Sequence, residues 1–413
     1  LATALSRSGK RAEGQAEMKE FKRLQDLFGS TTVGLQYLEQ GKYAVAIDEI
    51  PEKYWGGYSP PEKAPIKVEF VEVAEASGIS FSHGGPGKAD IRVKSAANLE
   101  GALVPYMGSG IAFVDYDQDG RLDLYFANAA AGGAKGALYR NRGDGTFEDK
   151  TPGSGLEFAG KTMQAIWGDY DNDGFPDPYL INYGANILFH NEGDGTFKDV
   201  TAEAGVGDSS WAMGGAYVDY DHDGDLDILV ANFMPTANGQ ANQGMFPEDF
   251  SGASNVLYRN NGDATFANVS EESKMSGEDA RSTSVIAADL DSSRDVDFYV
   301  VNQSAPNQLL NNMRDGTFAS PSGNATDVIS SSGLGVGAGD LSRNGFMDLV
   351  LPDMEPTRSS VLFNHGNSYF EYAEASSAIL DDLKVPVLNT QLFDFDNDGD
   401  LDVLVLSSRL FQG

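Results

Sequence analysis

The sequence predicts a mainly β protein: a β-propeller of four-stranded blades preceded by a short α-helical segment. Three observations carry this. An Asp-rich loop recurs six times, at roughly 50-residue spacing, a period that marks solenoids, propellers or arrays. The runs that leave these loops are almost wholly apolar. The 413 residues include 48 Gly and 16 Pro, a turn-rich composition suited to many short strands.

Taken in order, residues 1–50 read as helices. Val33, Gly34, Tyr37, Gly41, Tyr43, Ala46 and Ile50 recur at the offsets of a tetratricopeptide hairpin, with Pro51 after its end. Leu1, Leu5, Gly9, Gly14, Met18 and Phe21 fit an earlier pair less well. The segment resembles the tail of a tetratricopeptide array; a generic hairpin capping the next domain is the alternative. Residues 51–65, rich in Pro, Gly and Tyr, read as a linker.

From residue 66 to 413 one unit repeats. Its Asp loops are DYDQDGRLD at Asp115, DYDNDGFPD at Asp169, DYDHDGDLD at Asp219, DLDSSRDVD at Asp289, DLSRNGFMD at Asp340 and DFDNDGDLD at Asp394. A second mark is an aromatic strand at Phe70, Phe147, Phe197, Phe266, Phe318 and Phe370. A third is LYRN (138–141), LFHN (188–191), LYRN (257–260), LLNN (309–312) and LFNH (362–365). Each unit thus supplies about four strands, as a propeller blade does. Runs such as Leu226 to Ala231 and Leu401 to Leu406 are almost wholly apolar after the Asp, which indicates strands buried on both faces. Insertions fall around residues 232–254 and 82–108, in loops of the kind that bind partners.

The formal charge of −33 repels nucleic-acid phosphates, and no basic patch offsets it. Cys is absent, which removes disulfides and thiolate sites. No apolar run is long enough for a transmembrane helix. The chain begins at Leu1 without a basic n-region or signal-like stretch, and so reads as processed or incomplete at its start.

The loops have the chemistry of a hard-cation site. Ca²⁺ takes about six to eight oxygens in flexible geometry. Asp at positions 1, 3 and 5 turns three carboxylates inward, Gly at 6 permits the sharp turn, position 7 offers a carbonyl, and Asp at 9 closes the shell. Four loops carry the full set: Asp115, Asp117, Asp119 and Asp123; Asp169, Asp171, Asp173 and Asp177; Asp219, Asp221, Asp223 and Asp227; Asp394, Asp396, Asp398 and Asp402. Arg121, Phe175, Asp225 and Asp400 would add carbonyls. A fifth, degraded loop offers Asp340, Ser342, Asn344, Phe346 and Asp348. The loop at Asp289 has Ser293 and Arg294 at positions 5 and 6 and is expected to hold no metal. Four Ca²⁺ ions are therefore expected, with a fifth weaker site. An EF-hand is excluded, because its position-12 Glu is replaced by Phe126, Leu180, Val230 and Val405.

With these marks assembled, residues 66–413 resemble the FG-GAP/VCBS repeats of integrin α propellers. They are still more similar to bacterial secreted proteins like cartilage acidic protein, on MGSGIAFVDYDQDGRLDLYFAN (107–128), LYRNRGDGTFEDKT (138–151) and NEGDGTFKDVTAEAGV (191–206). The resemblance implies seven blades, Ca²⁺ in the blade loops, a secreted or surface location, and a role in adhesion or assembly. That family often continues into an ASPIC/UnbV domain. Only six loops are visible here, so either a seventh blade follows Gly413 or the ring closes with six. In both cases the strand around Lys67–Val73 would complete the last blade.

The remaining signals are weaker. Arg142-Gly143-Asp144 spells an integrin-recognition tripeptide but occupies a turn repeated at Glu192-Gly193-Asp194 and Asn261-Gly262-Asp263. The four His residues make no site by spacing: His190 takes the slot of Arg140 and Arg259, His222 points away from the metal, His365 holds a turn slot, and His83 lies in an insertion. No nucleophile elbow, phosphate-binding Gly loop or His-rich triad is present. The expectation is a non-enzymatic, Ca²⁺-stabilised module in the periplasm, at the cell surface or outside the cell. Its partners are proteins or a glycan, bound through the helical segment and insertions, with no nucleic acid and no transmembrane segment. The alternatives are a carbohydrate-active lyase or glycosidase on a propeller scaffold, and a scaffold subunit of a surface complex or filament.

Overall fold

The computed structural model describes residues 70–83, 104–108, 110–130, 135–236, 250–275, 280–303, 305–321, 334–353, 358–372, 387–396 and 399–407. The helical segment expected at 1–50 and the linker at 51–65 lie outside these residues. So do most of the two insertions. The chain divides into two compact units, Leu1–Glu72 and Val73–Gly413, and every described strand belongs to the second.

Six antiparallel sheets follow one another in the sequence. The first contains β1 (Ile111–Val114), β2 (Asp123–Phe126), β3 (Ala137–Asn141) and β4 (Phe147–Asp149), and the second β5 (Thr162–Gly168), β6 (Asp177–Asn182), β7 (Ile187–Asn191) and β8 (Phe197–Asp199). The third contains β9 (Trp211–Val218), β10 (Asp227–Met234), β11 (Val256–Asn260) and β12 (Phe266–Asn268). The fourth contains β13 (Ser282–Ala288), β14 (Asp297–Asn302), β15 (Gln308–Asn312) and β16 (Phe318–Ala319). The fifth contains β17 (Gly337–Gly339), β18 (Asp348–Leu351), β19 (Ser360–Asn364) and β20 (Phe370–Tyr372), and the sixth β21 (Val387–Phe393) and β22 (Asp402–Ser407). Each of the first five is a four-stranded meander in chain order; the sixth shows two strands. The described strands do not close a ring. Two helices of four residues each, α1 (Val104–Met107) and α2 (Thr201–Ala204), are the helices among the described residues, and neither is long or apolar enough to cross a membrane.

The core lies between sheets, which is why the second strands read as unbroken apolar runs. Every residue of β6, β10 and β14 is buried. On β6, Leu180 joins Tyr125, Leu138 and Phe197 in the core against the first sheet. Its neighbours Tyr179 and Ile181 enter the next core, with Trp211, Ile228 and Val230 of the third sheet. Alternate residues of one strand thus feed two cores, each fully buried side chain contributing about 1.5–3 kcal/mol. Trp167 seals the first interface edge-on to Tyr125 at 5.7 Å and Phe197 at 5.8 Å.

Near the first strands, successive sheets approach closely enough that a side chain at two glycines would be crowded. A Cβ on Gly110 would lie 3.0 Å from the Cα of Gln164, and one on Gly214 3.2 Å from the Cα of Ser284.

The turn between the third and fourth strands is built by its Asp. The Asp194 carboxylate accepts the Thr196 amide at 3.0 Å and the Thr196 hydroxyl at 2.6 Å, and Asp144, Asp263 and Asp315 repeat the pattern. Asp144 of the Arg-Gly-Asp tripeptide is therefore a turn-forming residue. The aromatic residue after this turn is buried at Phe197, Phe266, Phe318 and Phe370.

Two expectations are corrected. The run Leu401 to Leu406 is not buried on both faces: Leu404 and Leu406 are 47 % and 60 % exposed. The sixth sheet packs on the fifth through Leu392 and Val405, and no described residue covers its other face. Phe70–Val73 are exposed and outside any strand, so the described part of the Lys67–Val73 segment is not the strand the sequence predicts.

Candidate metal centres

Each Asp loop joins the first strand of a sheet to the second, and hydrogen bonds fix its shape. The position-1 carboxylate accepts the amides of positions 5 and 6. These are Asp119 at 2.9 Å and Gly120 at 2.9 Å on Asp115, and Asp173 at 3.0 Å and Gly174 at 2.8 Å on Asp169. Asp219 and Asp340 repeat both bonds, and Asp394 accepts the Gly399 amide at 2.9 Å. The position-5 side chain accepts the position-7 amide, as Asp119 does from Arg121, Asp173 from Phe175, Asp223 from Asp225 and Asn344 from Phe346. Gly at position 6 takes φ of 85° to 98° in the first three loops; Arg294 is forced to 73° at the same place.

The position-9 Asp is wholly buried in five sheets: Asp123, Asp177, Asp227, Asp297 and Asp348 are all 0 % exposed. Its Oδ1 accepts the backbone amide of the Asn that ends the third strand, at 2.7–2.9 Å. Its Oδ2 faces the start of the loop, taking the Tyr220 amide at 3.1 Å on Asp227, the Leu290 amide at 2.9 Å on Asp297 and the Ser342 amide at 2.7 Å on Asp348.

These brackets bring the acidic groups together. Carboxylate oxygens of Asp115, Asp117 and Asp123 lie within 4.8 Å of one another, as do those of Asp169, Asp171 and Asp173 and those of Asp219, Asp221 and Asp227. Asp289, Asp291 and Asp297 converge equally, although the sequence argued against that loop. In the sixth loop Asp394, Asp396 and Asp402 are described, Asp402 accepting the Phe395 amide at 2.9 Å, while Asp398 lies outside the described residues.

Burial and mutual repulsion raise these acids. Burial, against the hydrogen bond from Asn191, pushes Asp177 up to about 8, with Asp171 and Asp173 adding to it. Asp227 is pushed to about 7, and Asp123 and Asp297 to about 6, by burial first and then neighbouring carboxylates. Asp171 and Asp221 are raised for the same reasons.

Two nitrogen-bearing side chains sit where the sequence placed no ligand. Arg140 Nε lies 2.6 Å from Asp117 and its guanidinium 2.8 Å from Asp119, while Arg121 also pairs with Asp119. His190, in the same slot of the next sheet, places Nδ1 3.1 Å from Asp171 and 3.4 Å from Asp177. His190 therefore belongs to an acidic cluster although its sequence spacing signalled nothing. Its clue was the slot it shares with Arg140 and Arg259. His222 leaves its own loop and meets Asp295 of the next at 3.0 Å. His83 contacts the Gly108 carbonyl at 2.9 Å, and His365 contacts Glu371 at 3.1 Å.

The Asn ending the third strand was also missed. Asn191, Asn260, Asn312 and Asn364 share one position, so the fifth copy of that mark runs VLFN (361–364), one residue earlier than LFNH implied. Each donates Nδ2 to the position-8 carbonyl of its own loop and to the position-2 carbonyl of the preceding loop. The second bond is 3.0 Å to Tyr116, 2.8 Å to Tyr170, 2.8 Å to Tyr220 and 2.9 Å to Leu290. The signal was an Asn at the end of every third strand, a residue that an exposed strand end does not need.

The residues fit Ca²⁺. Asp117 Oδ1 and Asp171 Oδ1 are buried oxygens without a hydrogen-bond partner, the first inside a cluster of carboxylate oxygens and the second in one that also brings in His190.

Residues 115–180 and 169–230 match the family described as FG-GAP-like repeat. With five successive four-stranded meanders, this match supports a FG-GAP β-propeller. No curated protein matches the chain. Among solved structures, the chain is similar to an Agrocybe aegerita lectin described as specifically recognising non-reducing terminal N-acetylglucosamine, with 17 % identity and a TM-score of 0.38. That likeness covers 64 % of this chain, which spans about 65 % of the lectin's length. It is also similar to BBS1N in complex with ARL6DN, with 9 % identity, 73 % and 77 % coverage of the two chains and a TM-score of 0.43. At such scores neither likeness carries a functional argument.

Proposed function

We propose that the chain is a Ca²⁺-stabilised β-propeller that serves as a protein-interaction, adhesion or assembly module in the periplasm, at the cell surface or outside the cell, and that it is not an enzyme. The FG-GAP-like repeats support the interaction-module class. The observation that carries the cation is the convergence of three carboxylates within 4.8 Å in each of the first three loops. Ca²⁺ suits them better than Mg²⁺, because the acidic donors are carboxylate oxygens carried mostly by a loop, and Mg²⁺ demands near-ideal octahedral geometry with retained waters. The position-1, -3, -5 and -9 carboxylates would hold each ion, with the carbonyls of Arg121, Phe175, Asp225 and Asp400 completing the shell. Bound there, the ion supplies fixed positive charge that locks the loop joining two strands. Millimolar Ca²⁺ outside the cytoplasm would fill such sites, including the poorer loop at Asp340.

Thermal unfolding in millimolar Ca²⁺ and in EGTA tests the cation, with a melting temperature clearly lower in EGTA expected. Identical curves contradict it. Retention of an envelope protein on the immobilised chain in Ca²⁺, with release by EGTA, tests the interaction role. A glycan array followed by a degradation assay tests the enzymatic alternative, for which cleavage of a bound glycan would be decisive.

A further inference from the structure

We propose that Asn191 and Asn260 are positioning residues that couple the cation loops of the first three sheets, so that those loops load cooperatively. This rests on the Ca²⁺ reading above and adds to it how the sites communicate.

The geometry is a relay one residue long. Tyr170 lies between Asp169 and Asp171, ligand positions 1 and 3 of the second loop. Its carbonyl oxygen accepts Asn260 Nδ2 at 2.8 Å, and the Asn260 backbone amide donates to Asp227 Oδ1, at ligand position 9 of the third loop, at 2.8 Å. Asn260 is 2 % exposed and its Oδ1 is also engaged, accepting the Gly262 amide at 3.0 Å. It therefore cannot shift towards one loop without straining the other. The same relay joins the first loop to the second through Asn191, the third to the fourth through Asn312, and the fourth to the fifth through Asn364.

A second route, exposed at Asn172, runs parallel to it, from position 4 of one loop to position 7 of the next. Asn172 donates to Asp225 at 2.8 Å, His222 meets Asp295 at 3.0 Å, and Arg343 pairs with Asp400. Ordering one loop around an ion fixes its position-2 carbonyl and position-4 side chain, and these fix groups of the next loop. The second ion then has less to order, which is positive cooperativity by shared ordering. The coupling is reciprocal and typically changes affinity by about fivefold or more.

The test is a calorimetric Ca²⁺ titration of the full chain, after metal removal, for the unsubstituted protein and Asn260→Ala, with circular dichroism of both metal-free forms. The expected result is a Hill coefficient above one that falls in Asn260→Ala, at unchanged ion count and unchanged metal-free spectrum. Should Asn260→Ala fail to fold, Asn172→Ala at the exposed contact carries the test, with the same fall expected. Uptake with a Hill coefficient of one, or a coefficient that the folded variant leaves unchanged, overturns the coupling alone. No uptake overturns the coupling and the Ca²⁺ reading together.

Discussion

Asn364 ends β19, yet its Nδ2 donates to the carbonyl oxygen of Leu290 at 2.9 Å, across the boundary between two sheets. Three equivalent Asn residues do the same, so the sheets are held together by polar latches as well as by apolar cores. Each latch sits on the loops that carry the acidic clusters, which ties the stability of the array to the shape of the candidate sites.

The latches rank by whether they cross a boundary. Asn141 has the same local bracket but donates Nδ2 to Leu122 of its own loop, at 2.9 Å. Asn364→Ala strands the buried Leu290 carbonyl of one sheet and the partly buried Met347 carbonyl of the next, and unmet buried groups cost about 1–3 kcal/mol each. Urea unfolding in chelator is expected to show Asn364→Ala losing about 2–3 kcal/mol and Asn141→Ala about 1 kcal/mol. Equal losses would contradict the latch.

Arg140 occupies the first acidic cluster as a fixed positive charge. Its removal frees Asp117 and leaves Asp119 with Arg121 alone, so Arg140→Gln is expected to tighten Ca²⁺ binding at that loop. Each kcal/mol of removed repulsion corresponds to about fivefold in affinity. Titration of the variant tests this, and weaker binding would show that Arg140 supports the loop instead.

Arg294 stands in the left-handed region at φ 73° where the other loops have Gly. An L-residue there is strained by about 1–2 kcal/mol, so Arg294→Gly is expected to raise stability by about 1 kcal/mol in chelator. A lower midpoint in urea would mean that the Arg side chain contributes more than its backbone costs.

The metal-free protein is expected to lose stability as pH rises. Burial first, then neighbouring carboxylates, lifts Asp177 to about 8 and Asp227 to about 7, well above the roughly 3.9 of an unfolded Asp. The folded state therefore holds protons that the unfolded chain has released. Their contribution is complete below about pH 4 and is lost as pH climbs through about 7 and 8. Bound Ca²⁺ removes this penalty by keeping the carboxylates ionised. Melting in EGTA at pH 5.5 and pH 8 is expected to give the lower temperature at pH 8, with a smaller gap in Ca²⁺. A higher temperature at pH 8 in EGTA would refute it.

Much of this was legible in the residues. The Asp loops set the phase, and continuous apolarity from Ile228 to Ala231 foretold a strand buried on both faces. The same argument failed at Leu404 and Leu406, because burial belongs to a neighbour and not to a strand. Apolar pattern states what a strand needs, and no described sheet covers that face. Asp297 and its loop converge despite Ser293 and Arg294, because backbone amides shape the bracket and positions 1, 3 and 9 survive. His190 and the Asn latches were invisible to spacing, since their partners lie in other strands and sheets, Asn191 reaching Tyr116 from 75 residues away.

The most direct test of the central claim is a count of bound Ca²⁺ by equilibrium dialysis of the full chain in millimolar Ca²⁺ at neutral pH. The loop chemistry predicts about four ions per chain, with a weaker fifth at Asp340. Fewer than one would contradict it.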